Sequence, residues 1–112
     1  MVNNRLDRSF GALAHPVRRR IVQRLSAGPS SVATVSRNLA VSKPAITKHV
    51  RVLEEAGLIV REIEGRTHTL SLRARALGDA EAWMQRTRRV WEAKFDAVEQ
   101  FLVESSGSED PA

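Results

Sequence analysis

Cysteine is missing from the 112-residue chain, which excludes disulfide staples, thiol catalysis, redox sensing and thiolate metal sites together. Tyrosine is also missing, and aromatic residues make up only 4 % of the chain, so any clustering of the two tryptophans and three phenylalanines is informative. Glycine and proline are sparse, at six and four, which excludes collagen-like and low-complexity architectures. The longest apolar runs, such as Leu58-Ile59-Val60, fall far short of the roughly 20 residues a membrane-spanning helix needs. Arg5, Asp7 and Arg8 interrupt any N-terminal apolar core of the signal-peptide kind. The length supplies one domain's worth of core and excludes a two-domain enzyme. The expectation is a soluble, cytoplasmic protein that crosses no membrane.

What is present is positive charge, unevenly spread. The net charge is +5, from 18 Lys and Arg against 13 Asp and Glu. Residues 1–75 hold 14 basic and 5 acidic side chains, a net +9, whereas residues 76–112 hold 4 and 8, a net −4. A basic body joined to an acidic tail suggests that one part meets a polyanion while the other does something else.

Periodicity and punctuation predict short helices, then a hairpin, then a long helix. Leu6, Phe10, Leu13 and Ala14 recur at helical spacing, and His15-Pro16 ends that helix and starts the next. Val17, Ile21 and Leu25 form one face of the second helix; Arg18, Arg19, Arg20 and Arg24 lie on the other, and Gly28-Pro29 stops it. Ser31 or Ser30 caps a third helix with an apolar stripe of Val32, Val35 and Leu39. After a turn at Ala40-Val41, Ser42 is the N-cap of a fourth helix that tolerates Pro44 in its first turn. Ile46, Val50 and Leu53 are its buried stripe, Gly57 its left-handed C-terminal cap, and Lys43, Pro44, Thr47, Lys48 and Arg51 its opposite face. Helices of about eight and fifteen residues joined by a short turn match a helix-turn-helix, with the second as recognition helix.

Two β-rich runs follow, Leu58 to Ile63 and Thr67 to Leu72, around Glu64-Gly65-Arg66. With Arg61, Arg66, Thr67 and His68 near its tip, this hairpin reads as a basic wing suited to phosphates or a minor groove. The stretch from Ala76 to Glu104 reads as one long helix, along which Trp83, Val90, Trp91, Phe95, Val98, Phe101 and Leu102 recur. Both tryptophans and two of the three phenylalanines fall there, more apolar surface than the small domain can cover, so a second copy of the chain is expected to cover it. Phe10 and Leu13 could serve either the core or that seam. Beyond Ser105 the composition reads as a frayed tail.

The stretches from Phe10 to Ile21 (FGALAHPVRRRI) and from Val41 to Ile59 (VSKPAITKHVRVLEEAGLI), with the glycine-tipped wing, resemble the ArsR-type winged-helix transcriptional regulators over about residues 5–104. The resemblance implies a mainly α fold with a small β-hairpin wing, in the order α-α-α-α-β-β-α. It implies that residues 1–104 are a winged helix-turn-helix domain with dimerisation helices at both ends and residues 105–112 a flexible tail. It further implies DNA binding as a homodimer through the helix opening at Ser42, usually with repression. Many members sense metals through a Cys-x-Cys, which here would fall on Ser31-Val32-Ala33 and is absent; a second metal site of Asp, His and Glu on the last helix lacks its histidine. No metal, cofactor or effector is therefore assigned.

Base reading is expected from Lys43, Pro44, Thr47 and Lys48, with Lys43 or Lys48 donating to guanine and Pro44 or Thr47 touching a thymine methyl. Ser42 would divide its hydroxyl between capping and phosphate, and Arg37, Arg51, Arg61 and Arg66 are assigned to phosphate or wing contacts. The seam is assigned to Phe10, Leu13, Trp83, Val90, Trp91, Phe95, Val98 and Leu102. His49 is expected to face partly inward, as a core or wing-packing histidine. Within Arg18-Arg19-Arg20, one arginine is expected to pair with an acidic group and another to lie near the DNA backbone or the seam. A two-fold dimer would sit on a roughly palindromic operator and repress by occlusion. Two alternatives stand beside this reading: a winged-helix module for protein contact, and a nonspecific architectural DNA binder. No nucleophile elbow, phosphate loop or carboxylate pair suggests an enzyme.

Overall fold

The computed structural model describes residues 4–108. Along the chain come α1 (Asn4–Leu13), α2 (Pro16–Leu25), β1 (Ser30–Ser31), α3 (Val32–Val35), α4 (Lys43–Glu55), β2 (Ile59–Glu64), β3 (Thr67–Leu72) and α5 (Ala74–Ser108). The chain divides into two units, one ending at Ala80 and the other starting at Glu81.

In the first unit α1 to α4 and the sheet enclose a single core. Ile21 and Leu25 of α2, Val35 of α3, and Ile46, Val50 and Leu53 of α4 meet Leu58, Ile59 and Leu70 there. The α4 members are spaced four and three residues apart, which puts them on one helical face. Ile21, Leu53, Leu58 and Leu70 expose 0 % of their surface, so truncating any of them would leave a void.

The helix ends follow from local chemistry. Ser42 has an extended backbone, and its hydroxyl accepts from the Ala45 N–H at 3.3 Å, capping α4. At the other end Gly57, at φ +74°, lets the Leu58 N–H reach the Leu53 carbonyl (3.0 Å) and its own N–H reach that of Glu54 (2.9 Å). This paired closure satisfies carbonyls that the helix would otherwise leave open, and it delivers Leu58 straight into the core. His15 caps α2, with its Nδ1 accepting from the Val17 N–H at 3.1 Å and Pro16 in the first position.

Three features differ from the sequence expectation. The third helix is a single turn, capped by Ser31, which accepts from the Thr34 N–H at 3.1 Å; Leu39 is buried but lies beyond it. It stops early because Asn38 (φ +63°) and Ala40 (φ +58°) are left-handed and turn the chain toward α4. The second difference is β1, which pairs antiparallel with β3 (Ser30 opposite Leu70, Ser31 opposite Thr69) and makes the sheet three-stranded in the order β1-β3-β2. The element order is therefore α-α-β-α-α-β-β-α. Third, β2 opens at Ile59 and runs to Glu64, which faces Thr67, so only Gly65 and Arg66 form the turn. Gly65 takes φ +61°, the left-handed conformation its position requires.

The second unit is the outer part of α5. None of its described side chains from 81 to 106 is buried. The helix continues to Ser108, past the expected fraying point at Ser105, and residues 109–112 of the expected tail lie outside the described residues. Polar residues on its charged side interact along the helix, Arg88 with Glu92 (3.3 Å) and Gln85 with Glu81 (3.3 Å). Among the described residues no helix is long and apolar enough to cross a membrane.

Candidate nucleic-acid interface

The buried stripe of α4 fixes which of its side chains face outward. Ser42, Lys43, Pro44, Thr47, Lys48 and Arg51 are all exposed. The Thr47 hydroxyl donates to the Lys43 carbonyl at 3.1 Å, and the Ser42 hydroxyl is committed to its cap. Lys43, Lys48 and Arg51 make no ion pair among the described residues. Three cations thus project from a rigid helix whose other face is locked in the core. Arg66 is exposed at the wing tip, and Arg37 is exposed in the turn after α3.

Arg61 occupies a different environment from the other assigned arginines. It sits on the same side of β2 as buried Ile59, because alternate strand residues share a face. Its guanidinium grips the Glu54 carboxylate twice, at 2.6 and 3.3 Å, and contacts the His68 Nδ1 at 2.9 Å. The side chains of this ion pair are 24 % and 31 % exposed, so it ties the wing to the end of α4 as a half-buried, two-pronged contact.

Among the described residues, the arginine run on α2 makes no ion pair with an acid. Arg18 donates to the carbonyls of Ala12 (2.6 Å) and Gly11 (3.2 Å), and Arg19 donates to that of Leu13 (2.9 Å). These carbonyls lie in the last turn of α1, where the Gly11 carbonyl also accepts from the Ala14 N–H at 3.2 Å, so the arginines help close its C-terminus, where the helix dipole also favours cations. Arg24, read from sequence only as part of a basic face, clamps the helix-turn-helix turn by donating to the carbonyls of Val35 (2.8 Å) and Arg37. The sequence gives no signal for that role, since its acceptors are backbone atoms 11 and 13 residues away.

His49 is half-buried on α4, as expected, and packs on His15 with ring centroids 4.3 Å apart. Arg18 Nη1 lies 3.3 Å from its Nδ1. Desolvation holds the His49 imidazole below its ordinary value of 6.5, and the neighbouring His15, Arg18 and Lys48 push it the same way.

With this geometry in place, comparison with known proteins is decisive. The family model described as a helix-turn-helix domain matches residues 13–62. The HTH-type transcriptional regulator Rv2034 of Mycobacterium tuberculosis is 33 % identical over 103 residues, covering 92 % of each chain. The crystal structure of an ArsR family transcriptional regulator, RHA00566, superposes with a TM-score of 0.75 at 33 % identity, covering 79 % of this chain and 97 % of the other. The chain belongs to the ArsR-type winged helix-turn-helix transcriptional regulators. The transcriptional repressor SdpR of Bacillus subtilis is 29 % identical over 79 residues, covering 70 % of this chain and 88 % of its own.

Ser31, Val32 and Ala33, the stretch on which a family Cys-x-Cys would fall, line an open groove with Arg61, Arg66, Thr67 and His68. The expected seam residues on α5 are exposed in the single chain: Trp83 42 %, Val90 55 %, Trp91 55 %, Phe95 64 %, Val98 56 % and Leu102 61 %. Trp91 and Phe95 stack at 5.8 Å, and Lys94 Nζ lies 5.7 Å from the Trp91 ring centre. Of the two N-terminal residues assigned to the seam, Leu13 packs against the core and Phe10 is half-buried on α1.

Proposed function

We propose that this ArsR-type protein is a cytoplasmic, dimeric, sequence-specific DNA-binding repressor, with no catalytic role and no metal-sensing site. The observation that carries the reading is the outward face of α4: Lys43, Lys48 and Arg51 unpaired and exposed around Pro44 and Thr47, on a helix fixed by Ile46, Val50 and Leu53. A major groove admits one such helix, with Lys43 and Lys48 placed to donate to guanine edges and Arg51 to phosphate. Arg66 and Arg37 supply further phosphate contacts, whereas Arg61 acts through Glu54 as a brace for the wing. The apolar stripe of α5 pairs with its twin, setting two recognition helices about 34–36 Å apart on a palindromic operator. Repression follows by occlusion of the promoter.

The test is selection of bound fragments from the parent genome, then titration of a selected duplex and a scrambled one at two salt concentrations. A preference of about 10³ fold or more for the selected duplex is expected. If six to ten phosphates are neutralised per dimer, affinity falls about 10³ to 10⁵ fold between 50 and 200 mM salt. Equal affinity for both duplexes would indicate an architectural binder, and no binding at low salt would indicate a protein-contact module.

A further inference from the structure

Two histidines meet where α4 crosses the start of α2, and both show which nitrogen lacks a proton. The His15 Nδ1 faces a backbone N–H, that of Val17, and the His49 Nδ1 faces an arginine Nη. Neither of those groups can accept a hydrogen bond, so in this arrangement each Nδ1 serves as the acceptor. Arg18 is itself anchored by the Ala12 and Gly11 carbonyls, so the contact links α1, α2 and α4 at one point.

We propose that His15, His49 and Arg18 form a joint that holds the recognition helix against the start of α2 only while both imidazoles are uncharged, making His49 a positioning residue for DNA recognition. The proposal rests on the DNA-binding reading of α4. A proton on either Nδ1 removes an acceptor: on His15 the cap of α2, on His49 the partner of Arg18. It also adds positive charge where Arg18 from α2 and Lys48 from α4 already act on His49, together with His15 from the α1–α2 junction, and among the described residues no carboxylate offsets it. His49 is followed directly by Val50, which is 1 % exposed, so the joint lies beside the core face of α4.

Because His49 sits below 6.5 in the folded chain, the unfolded chain binds more protons as pH falls below 6.5. The stabilising contribution is therefore complete above 6.5 and is lost as pH drops toward the folded value. This runs against bulk electrostatics, in which newly charged histidines would tighten binding to a polyanion.

The experiment compares the full-length wild-type chain with His15→Asn/His49→Asn, since an asparagine side chain caps helices and offers an acceptor to arginine without titrating. In the wild type, a histidine NMR titration should place the His49 midpoint below 6.5, with the Lys48 and Val50 amides moving on the same curve. Melting temperature should fall between pH 7.5 and 5.5 in the wild type and stay flatter in the variant. Preference for the genome-selected duplex over its scrambled version should weaken about threefold or more over that range in the wild type alone. A His49 midpoint at or above 6.5, or parallel pH profiles in the two proteins, overturns the joint. Should the variant not fold, the titration still decides, because it uses only the wild-type chain. If the titration and stability results hold but no duplex is preferred at any pH, the joint stands as a structural element and the DNA reading fails.

Discussion

Residues up to Ala80 and residues from Glu81 onward treat their apolar side chains in opposite ways. Every buried apolar residue lies in the first stretch; from 81 to 106 no described side chain is buried, although Trp91, Phe95, Val98 and Leu102 fall on one helical face. The first stretch draws its stability from its own core and presents charge outward. The second presents apolar surface along a helix, and helices in proteins draw most of their stability from packing such a face rather than from propensity. An exposed apolar stripe of this kind, rimmed by charged residues, is the usual mark of an interaction surface.

The most severe challenge to this contrast is to charge the stripe. Trp91→Asp combined with Phe95→Asp should abolish the dimer, weakening association by at least 10³ fold, because each large side chain buried at the seam contributes about 2 kcal/mol. Sedimentation should then report one copy, while the circular dichroism of the first unit is retained. A dimer that survives would place the seam elsewhere. Next in size is the complementary change, Leu53→Ala, which should cost about 2–5 kcal/mol in chemical denaturation through the void it leaves. Val98→Ala, on a residue 56 % exposed, should leave the stability of the isolated chain almost unchanged.

A third prediction separates folding from recognition within the first unit. Lys48→Ala should cost about 1–3 kcal/mol of discrimination between the selected and scrambled duplexes, with unchanged melting temperature. Arg61→Ala should do the reverse: it leaves Glu54 half-buried without its partner, so melting temperature falls while the preference for the selected duplex changes little. If Arg61→Ala removed binding with stability intact, Arg61 would belong on the phosphate list after all.

These substitutions also mark where the sequence was legible. The α4 stripe, its Ser42 cap and the Gly57 closure could be read directly, since each depends on residues within one or two turns of one another. The two-residue β1 could not, because Ser30 and Ser31 have no period and are defined only by partners 40 and 38 positions away, Leu70 and Thr69. The roles of Arg18, Arg19 and Arg24 were hidden for a related reason: their acceptors are backbone carbonyls, which every residue has. Composition marks an arginine as charged, but only the fold determines whether that charge closes a helix, braces a wing or remains available to a phosphate.

The smallest expected effect concerns the turn that sets α4 at its angle. Ala40 stands at φ +58°, where its Cβ crowds the following carbonyl at a cost of about 1–2 kcal/mol, while Asn38 tolerates φ +63° through its short polar side chain. Ala40→Gly removes that clash but gives the unfolded chain more freedom, so the net gain should be about 0.5–1 kcal/mol. Denaturant titration should show a higher midpoint at unchanged slope, and affinity for the selected duplex should stay the same, because the turn keeps its course. Asn38→Gly, tested alongside, should gain less. A loss of stability in Ala40→Gly would mean that the Ala40 methyl contributes more through its contacts than its backbone costs. The turn would then be held by packing, and not chiefly by the Arg24 clamp on the Val35 and Arg37 carbonyls.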